Sequence, residues 1–279
     1  GRVLRRSVTV EPGVVLSVLV REARPDMRAF VLVHGLASIA RLWDGVAERL
    51  AELGHASVSV DQRGHGESSK PDTGYDFETI TADVSRVIEQ ALGRPAVVAG
   101  QSWGGNVVVE LARRHPDLVS GIVCVDGGFI QLAESFPVWE EARAALAPPD
   151  FTGFTMEQLQ SMSETRFADW PRSGIDGQLA NFETVDGFVR ARLSRDNHMR
   201  IVRQLWEHRA DDAAREVDVP ALVLAIGRSE PGREERVDSF VRALPDGHLT
   251  WMDAHHDVHA QHPDLVANLL STFARDVVR

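Results

Sequence analysis

The sequence predicts an α/β fold, a mostly parallel central sheet flanked by helices and interrupted once by a mainly helical insertion. Three observations carry this expectation. Short continuous apolar runs recur at residues 30–33, 95–99, 121–125 and 220–226, as in strands buried on both faces of a parallel sheet. Segments of helical periodicity separate them, and that alternation predicts right-handed βαβ units. The rhythm breaks across residues 129–217 and then resumes. With 279 residues, 43% hydrophobic and 25% charged, the chain suits one large globular domain carrying an insertion.

Taken in order, residues 8–10 and 14–20 form an opening antiparallel hairpin about the Glu11-Pro12-Gly13 turn. The strand at 30–33 ends at His34-Gly35, and a helix over 42–53 stops at Gly54. The strand at 56–60 ends at Asp61, and the helix over 79–92 closes on Gly93. The strand at 95–99 runs into Gly100-Gln101-Ser102-Trp103-Gly104, with a helix from 106 to 114 behind it. The strand at 121–125 ends at Asp126. Within 129–217, a small hairpin is expected about Val185-Asp186-Gly187 and a helix over 198–208. A strand at 220–226, a helix at 237–244, a strand at 248–252 and a helix at 263–278 complete the chain. The expected division is a core of 1–128 and 218–279 with 129–217 inserted as a lid. The lid carries Trp139, Trp170 and Trp206, a composition suited to the wall of an apolar substrate pocket.

A net charge of −11 argues against nucleic acid and anionic membrane as partners. No run of 18 apolar residues is present, so no transmembrane helix is expected. The single Cys124 excludes an intrachain disulfide and fits a reducing, cytoplasmic compartment. Lys70 is the only lysine. The sequence leaves open whether the chain is a monomer or a homodimer.

The chemistry centres on Gly100-Gln101-Ser102-Trp103-Gly104, a G-x-S-x-G sequence in the strand–turn–helix context that makes it a nucleophile elbow. A serine hydroxyl needs an adjacent base. The loop after the final strand, residues 253–263, holds four of the 11 histidines. His256 is the expected base and His255 its rival. The third member must be a carboxylate that orients the imidazole. Asp126 and the alternative Glu230 both follow strands, and the residues leave the choice between them open. Donors for a developing oxyanion are expected from the backbone N–H groups of Trp103 and Leu36, with Gly35 folding the latter's loop tightly against the substrate. Trp139, Trp170 and Trp206 are the expected substrate-binding aromatics. His255 and His259 have the i, i+4 spacing of metal ligands, but the segment lacks an H-E-x-x-H pattern. No metal and no organic cofactor are implied.

His34-Gly35-Leu36, the loop from Asp61 to Ser68, the elbow and the terminal segment from His256 to Pro263 together resemble the α/β-hydrolase fold superfamily over nearly the whole chain. The resemblance implies that fold and a base in the last strand-to-helix loop shortly before a proline. The residue before that histidine is usually glycine and is His255 here. Ser102-Trp103-Gly104-Gly105 is also similar to haloalkane dehalogenases and epoxide hydrolases, which place aspartate where this chain has Ser102. Some relatives, certain haloalkane dehalogenases and the zearalenone lactone hydrolases among them, carry the acid after the strand following the elbow, which implies Asp126. Most use the later strand, where Glu230 is the nearest match. The expected function is hydrolysis of a carboxylic ester or lactone of a medium-sized apolar small molecule through an acyl-enzyme. Two alternatives stand beside it: hydrolysis of a carbon–carbon bond in a 1,3-dicarbonyl or ring-cleavage product, and a non-catalytic ligand-binding protein on the same scaffold.

Overall fold

The computed structural model describes residues 2–279. The opening hairpin pairs β1 (Val3–Glu11) with β2 (Val14–Arg21), both longer than the apolar pattern alone marks. Next come β3 (Phe30–Val33), α1 (Asp44–Glu52), β4 (Ser57–Val60), α2 (Phe77–Val87), β5 (Ala96–Gln101), α3 (Trp103–Arg114) and β6 (Val119–Val125). After a long excursion the chain returns through β9 (Ala221–Ile226), α10 (Arg233–Ala243), β10 (Gly247–Met252), α11 (Val258–Gln261) and α12 (Pro263–Asp276). The excursion holds α4 (Leu132–Ser135), α5 (Trp139–Ala145), α6 (Met156–Arg166), α7 (Arg172–Ala180), β7 (Phe182–Val185), β8 (Phe188–Ala191), α8 (Arg195–Glu207) and α9 (Ala210–Ala214).

Eight strands make one sheet in the order β1-β2-β4-β3-β5-β6-β9-β10. β2 is antiparallel to β1 and β4, and the remaining pairings are parallel. β7 and β8 form a separate antiparallel hairpin. Its Asp186-Gly187 turn has φ of 51° and 84°, the paired positive values that make Asp-Gly a two-residue hairpin signal.

The continuous apolar runs have a direct cause. Along β3, Phe30 and Leu32 enter one core cluster with Trp43, Leu50, Val258 and Leu270. Val31 and Val33 enter the other with Val107, Val108 and Phe240. Successive strand side chains point to opposite faces, and here both faces are buried. Each such aliphatic side chain contributes about 1.5–3 kcal/mol relative to exposure. Cys124 lies in this core, where burial pushes its thiol up to about 12, well away from reactivity.

Four helices, α2, α3, α8 and α10, begin earlier than expected. α2 starts at Phe77 because Asp76 caps it, with the Thr79 N–H donating to Oδ2 at 3.0 Å. α10 starts at Arg233 because Gly232 turns the chain at φ 76° and a charged first turn follows. The end of the 79–92 segment is a π turn over Ile88–Leu92 that closes on Gly93 at φ 66°. Among the described residues no helix is long and apolar enough to cross a membrane.

Candidate active site

Ser102 sits between β5 and α3 at φ 56°, ψ −124°. A side chain held in such a sparsely populated region costs on the order of 1–3 kcal/mol, so the surroundings must over-determine it. They do: the Ser102 N–H donates to Val125 O at 3.0 Å and its carbonyl accepts from Gly105 N–H at 2.8 Å. Gly100 passes so close to α3 that a Cβ there would lie 2.0 Å from Gly104 O. The glycines of the elbow therefore let strand and helix cross at contact distance.

Asp126 follows β6 at φ 45° and is only 3% exposed. Its Oδ1 accepts the Ile226 N–H at 3.1 Å, and its Oδ2 accepts Nδ1–H of His256 at 2.5 Å. Glu230 makes no such contact. It is paired with Arg233 at 3.0 Å and its side chain is 62% exposed. His255 points elsewhere, its Nδ1 accepting from the Asp257 N–H at 2.9 Å and its ring lying edge-on to Trp170 at 5.0 Å. The imidazole bonded to Asp126 is thus that of His256, its side chain 51% exposed. Partial burial by itself depresses the His256 pKa. The hydrogen bond and charge of Asp126, with Asp257 adding to them, outweigh that, and the pKa stands above its ordinary value.

The His256 loop is tied to β5 through Gln101. Its Nε2 donates to His256 O at 3.1 Å and to Asp257 Oδ1 at 3.2 Å. Asp257 Oδ2 accepts from Gln178 of α7 at 3.0 Å. Among the described residues no hydrogen bond joins Ser102 Oγ to His256; catalytic contacts are commonly long before substrate binds.

The loop after β3 lies directly over the elbow. A Cβ on Gly35 would meet Gln101 Oε1 at 2.6 Å and Ser102 Cβ at 3.2 Å, so only glycine brings Leu36 and Ala37 this close. The loop is braced from the 61–68 segment. His65 Nε2 accepts the Ala37 N–H at 3.1 Å, its Nδ1–H donates to Arg63 O at 2.9 Å, and its ring stacks on Trp103. Burial pushes the His65 pKa well down, so it is a neutral bracket. Asp61 anchors the same segment by accepting from Ala40 N–H and Glu67 N–H. Trp103 is the first residue of α3, where the N–H has no helical partner. Leu36 N–H makes no backbone hydrogen bond among the described residues.

The three tryptophans part company. Trp139 and Trp206 face each other at 5.7 Å with Arg203 over both rings, and Trp206 Nε1 donates to Phe136 O at 2.7 Å. Trp170 packs with Ile39, Leu42, Ile175 and Ala260, beside His255. A cavity of about 440 Å³ opens beside Asp126 and His256, walled by Phe129, Ile130, Leu132 and Arg233. Four residues that sequence reasoning missed hold this site together: Gln101, Gln178, Asp257 and Arg233. Gln101 lies inside the elbow motif and Asp257 directly after the base, so their positions were in view while their partners were not.

The sequence model of the alpha/beta hydrolase fold family matches residues 28–231, and the chain belongs to that family. It is a hydrolase of that fold. It is 26% identical over 268 residues to the 2-(acetamidomethylene)succinate hydrolase of Mesorhizobium japonicum, covering 93% of this chain and 91% of the relative. It is 30% identical over 258 residues to the non-heme chloroperoxidase of Streptomyces lividans, covering 85% and 90%. Another curated relative matches over a shorter stretch, 34% of its length. The crystal structure of an E-2-(acetamidomethylene)succinate hydrolase superposes with a TM-score of 0.81 at 24% identity, covering 98% of this chain and 99% of the other, a likeness of fold.

Proposed function

We propose that the protein is a serine hydrolase that cleaves a carboxylic ester or lactone of a medium-sized, largely apolar small molecule. The observation that supports this most is the 2.5 Å contact from His256 Nδ1 to Asp126 Oδ2, on the loop that Gln101 ties to Ser102. In this reading His256 Nε2 takes the Ser102 proton as Oγ attacks the carbonyl carbon, and returns it to the leaving alkoxide. Asp126 fixes the tautomer and stabilises the imidazolium. The N–H groups of Leu36 and Trp103 receive the developing oxyanion, each contributing about 3 kcal/mol to the transition state. A water deprotonated by His256 then attacks the acyl-enzyme and releases the acid. The 129–217 segment acts as a lid, with Trp170 at its inner side; no metal or organic cofactor takes part.

The test is intact-mass labelling with a fluorophosphonate on wild type and Ser102→Ala, with p-nitrophenyl ester turnover followed in parallel. One adduct on wild type, none on the variant and loss of turnover in the variant are expected. Turnover that survives Ser102→Ala overturns the assignment.

A further inference from the structure

The chain carries a net charge of −11, yet four of its cationic side chains line one cavity. This cavity, of about 690 Å³, lies between the β7–β8 hairpin, residues 148–152 and the loop that ends in Lys70. Lys70, Arg190, Arg192 and Arg195 line it, against two carboxylates, Asp150 and Glu183. The two carboxylates offset only half of the four positive charges. Glu183 Oε1 is engaged by Arg190 at 2.6 Å, and Arg192 stands 4.0 Å from Oε2. Asp150 Oδ1 accepts from the Thr152 N–H and hydroxyl. Lys70 Nζ donates to the carbonyls of Gly66 and Ser68 at 2.7 and 3.0 Å, which leaves its third N–H without a partner among the described residues. Burial and the neighbouring charge of Arg192 press the Lys70 pKa down while Glu183, which also faces Arg192, opposes them. Phe151 and Phe188 supply apolar wall beside these charges.

Both walls are fixed to the loop over Ser102. Arg192 N–H donates to Asn181 O at 3.3 Å, and Arg192 Nε to Ala180 O at 2.9 Å. The Asn181 side-chain amide in turn donates to Ala37 O. From the other side, the segment carrying Lys70 holds Ala37 N–H through His65. Ala37 is two residues from Gly35, which lies against Ser102.

We propose that this cavity receives a carboxylate borne by the substrate. The ester or lactone cleaved at Ser102 would be that of an amphipathic acid, its aryl or alkyl body against Phe151 and Phe188 and its anionic end at Lys70 and Arg192. The inference rests on the serine-hydrolase reading above for the reaction, and on the cavity for the substrate class. Concave sites lined by one sign of charge concentrate oppositely charged ligands, and the effect falls with added salt.

Because Lys70 is the only lysine, its amine reports occupancy directly. Reductive methylation of the whole protein, read at Lys70 by peptide mass, is expected to be slowed by 4-phenylbutyrate and not by the neutral 4-phenylbutyramide. In turnover, Lys70→Met and Arg192→Met are expected to raise KM for the p-nitrophenyl hemiester of glutaric acid about 5- to 10-fold more than KM for p-nitrophenyl butyrate. Lys70→Arg should restore most of that difference. Equal protection by acid and amide, protection by neither, or equal KM changes on both esters would overturn the proposal. Loss of Ser102 labelling alongside carboxylate-selective protection of Lys70 would instead overturn the serine-hydrolase reading and support the carboxylate site.

Discussion

Arg233 rests on the carboxylate that holds His256: its Nη1 lies 3.4 Å from Asp126 Oδ1 while its Nη2 lies 3.0 Å from Glu230. Glu230, the alternative acid, thus reaches Asp126 only through an arginine. On the proposed mechanism Asp126→Asn removes the acceptor that fixes the His256 tautomer and lowers kcat by about 10⁴-fold. Glu230→Gln leaves His256 bonded and lowers kcat less than about tenfold. Steady-state kinetics on a p-nitrophenyl ester checks both. A Glu230→Gln loss as deep as that of Asp126→Asn would reverse the assignment.

The same arginine shapes the pH dependence. Burial lowers the His256 pKa and Asp126 and Asp257 raise it, with Arg233 opposing them; the net position is above 6.5. A general base works when neutral, so kcat/KM rises with pH through a midpoint above 6.5. Arg233→Met removes an opposing positive charge, and the midpoint moves further up. Profiles of kcat/KM from pH 5 to 9 read the shift. Superimposable wild-type and Arg233→Met profiles would remove Arg233 from the tuning of the base.

Asp257 joins three elements, accepting from Gln101 of β5 and Gln178 of α7 while it follows the base in sequence. Asp257→Leu frees both amides and lets the His256 loop drift. Misplacement of a catalytic group by about 1 Å costs up to about 10²-fold, so a 10- to 100-fold fall in kcat is expected with the fold retained. Gln178→Leu breaks only the link to α7 and should raise KM more than it lowers kcat. The reverse pattern would show that α7 positions the base rather than the substrate.

Strands β3 and β9 are legible in the sequence because burial on both sheet faces leaves no polar positions to interrupt the run. The elbow is legible because close passage at Gly100 and Gly104 forces glycine there. Helices α6 and α7 are far less so. α6 buries only Leu159 and Ser163, so its apolar period is faint and its clearest signal is the Thr155–Gln158 capping box. The choice between Asp126 and Glu230 was out of reach for a different reason. Both are carboxylates at strand ends, and the difference lies in the Ile226 N–H and Arg233, 100 and 107 residues away from Asp126. His255 and His256 are adjacent letters. Their directions are set by Gln261, whose side chain accepts the His255 N–H at 2.7 Å, and by Trp170.

Arg63 and Asp83 form a buried two-pronged pair, Nε to Oδ2 and Nη2 to Oδ1 both at 2.9 Å, with side chains 1% and 5% exposed. The pair fixes the segment that braces the loop after β3. Asp83→Leu leaves the buried guanidinium only the half-exposed Glu11 at 3.2 Å and Thr73 O at 3.1 Å, and is expected to cost about 3 kcal/mol. The double variant Arg63→Met with Asp83→Leu removes both charges and should recover most of that loss. Urea unfolding of the four proteins gives the coupling. Additive single-variant losses would mean that the two charges do not stabilise one another.

His259 is expected to weaken the fold in acid. It is fully buried against Trp43, ring centroids 4.5 Å apart, and neither ring nitrogen has a hydrogen-bond partner among the described residues. Burial, the largest influence, brings its pKa down to about 4. A histidine whose folded pKa lies below its unfolded value binds protons more readily when unfolded. Its contribution to stability is therefore complete above about pH 6.5 and is lost as pH falls toward 4. Between pH 7.5 and 5.0 this one group removes about 2 kcal/mol. His259→Phe keeps the ring against Trp43 and deletes the proton site. It should leave stability at pH 7.5 equal or higher, and shrink the acid loss by about that amount. His34, His55 and His65 also have lowered values through burial, so some acid sensitivity persists in the variant. Urea midpoints at the two pH values decide the matter: an acid loss in His259→Phe as large as in wild type would mean that protonation of the other buried histidines governs acid unfolding.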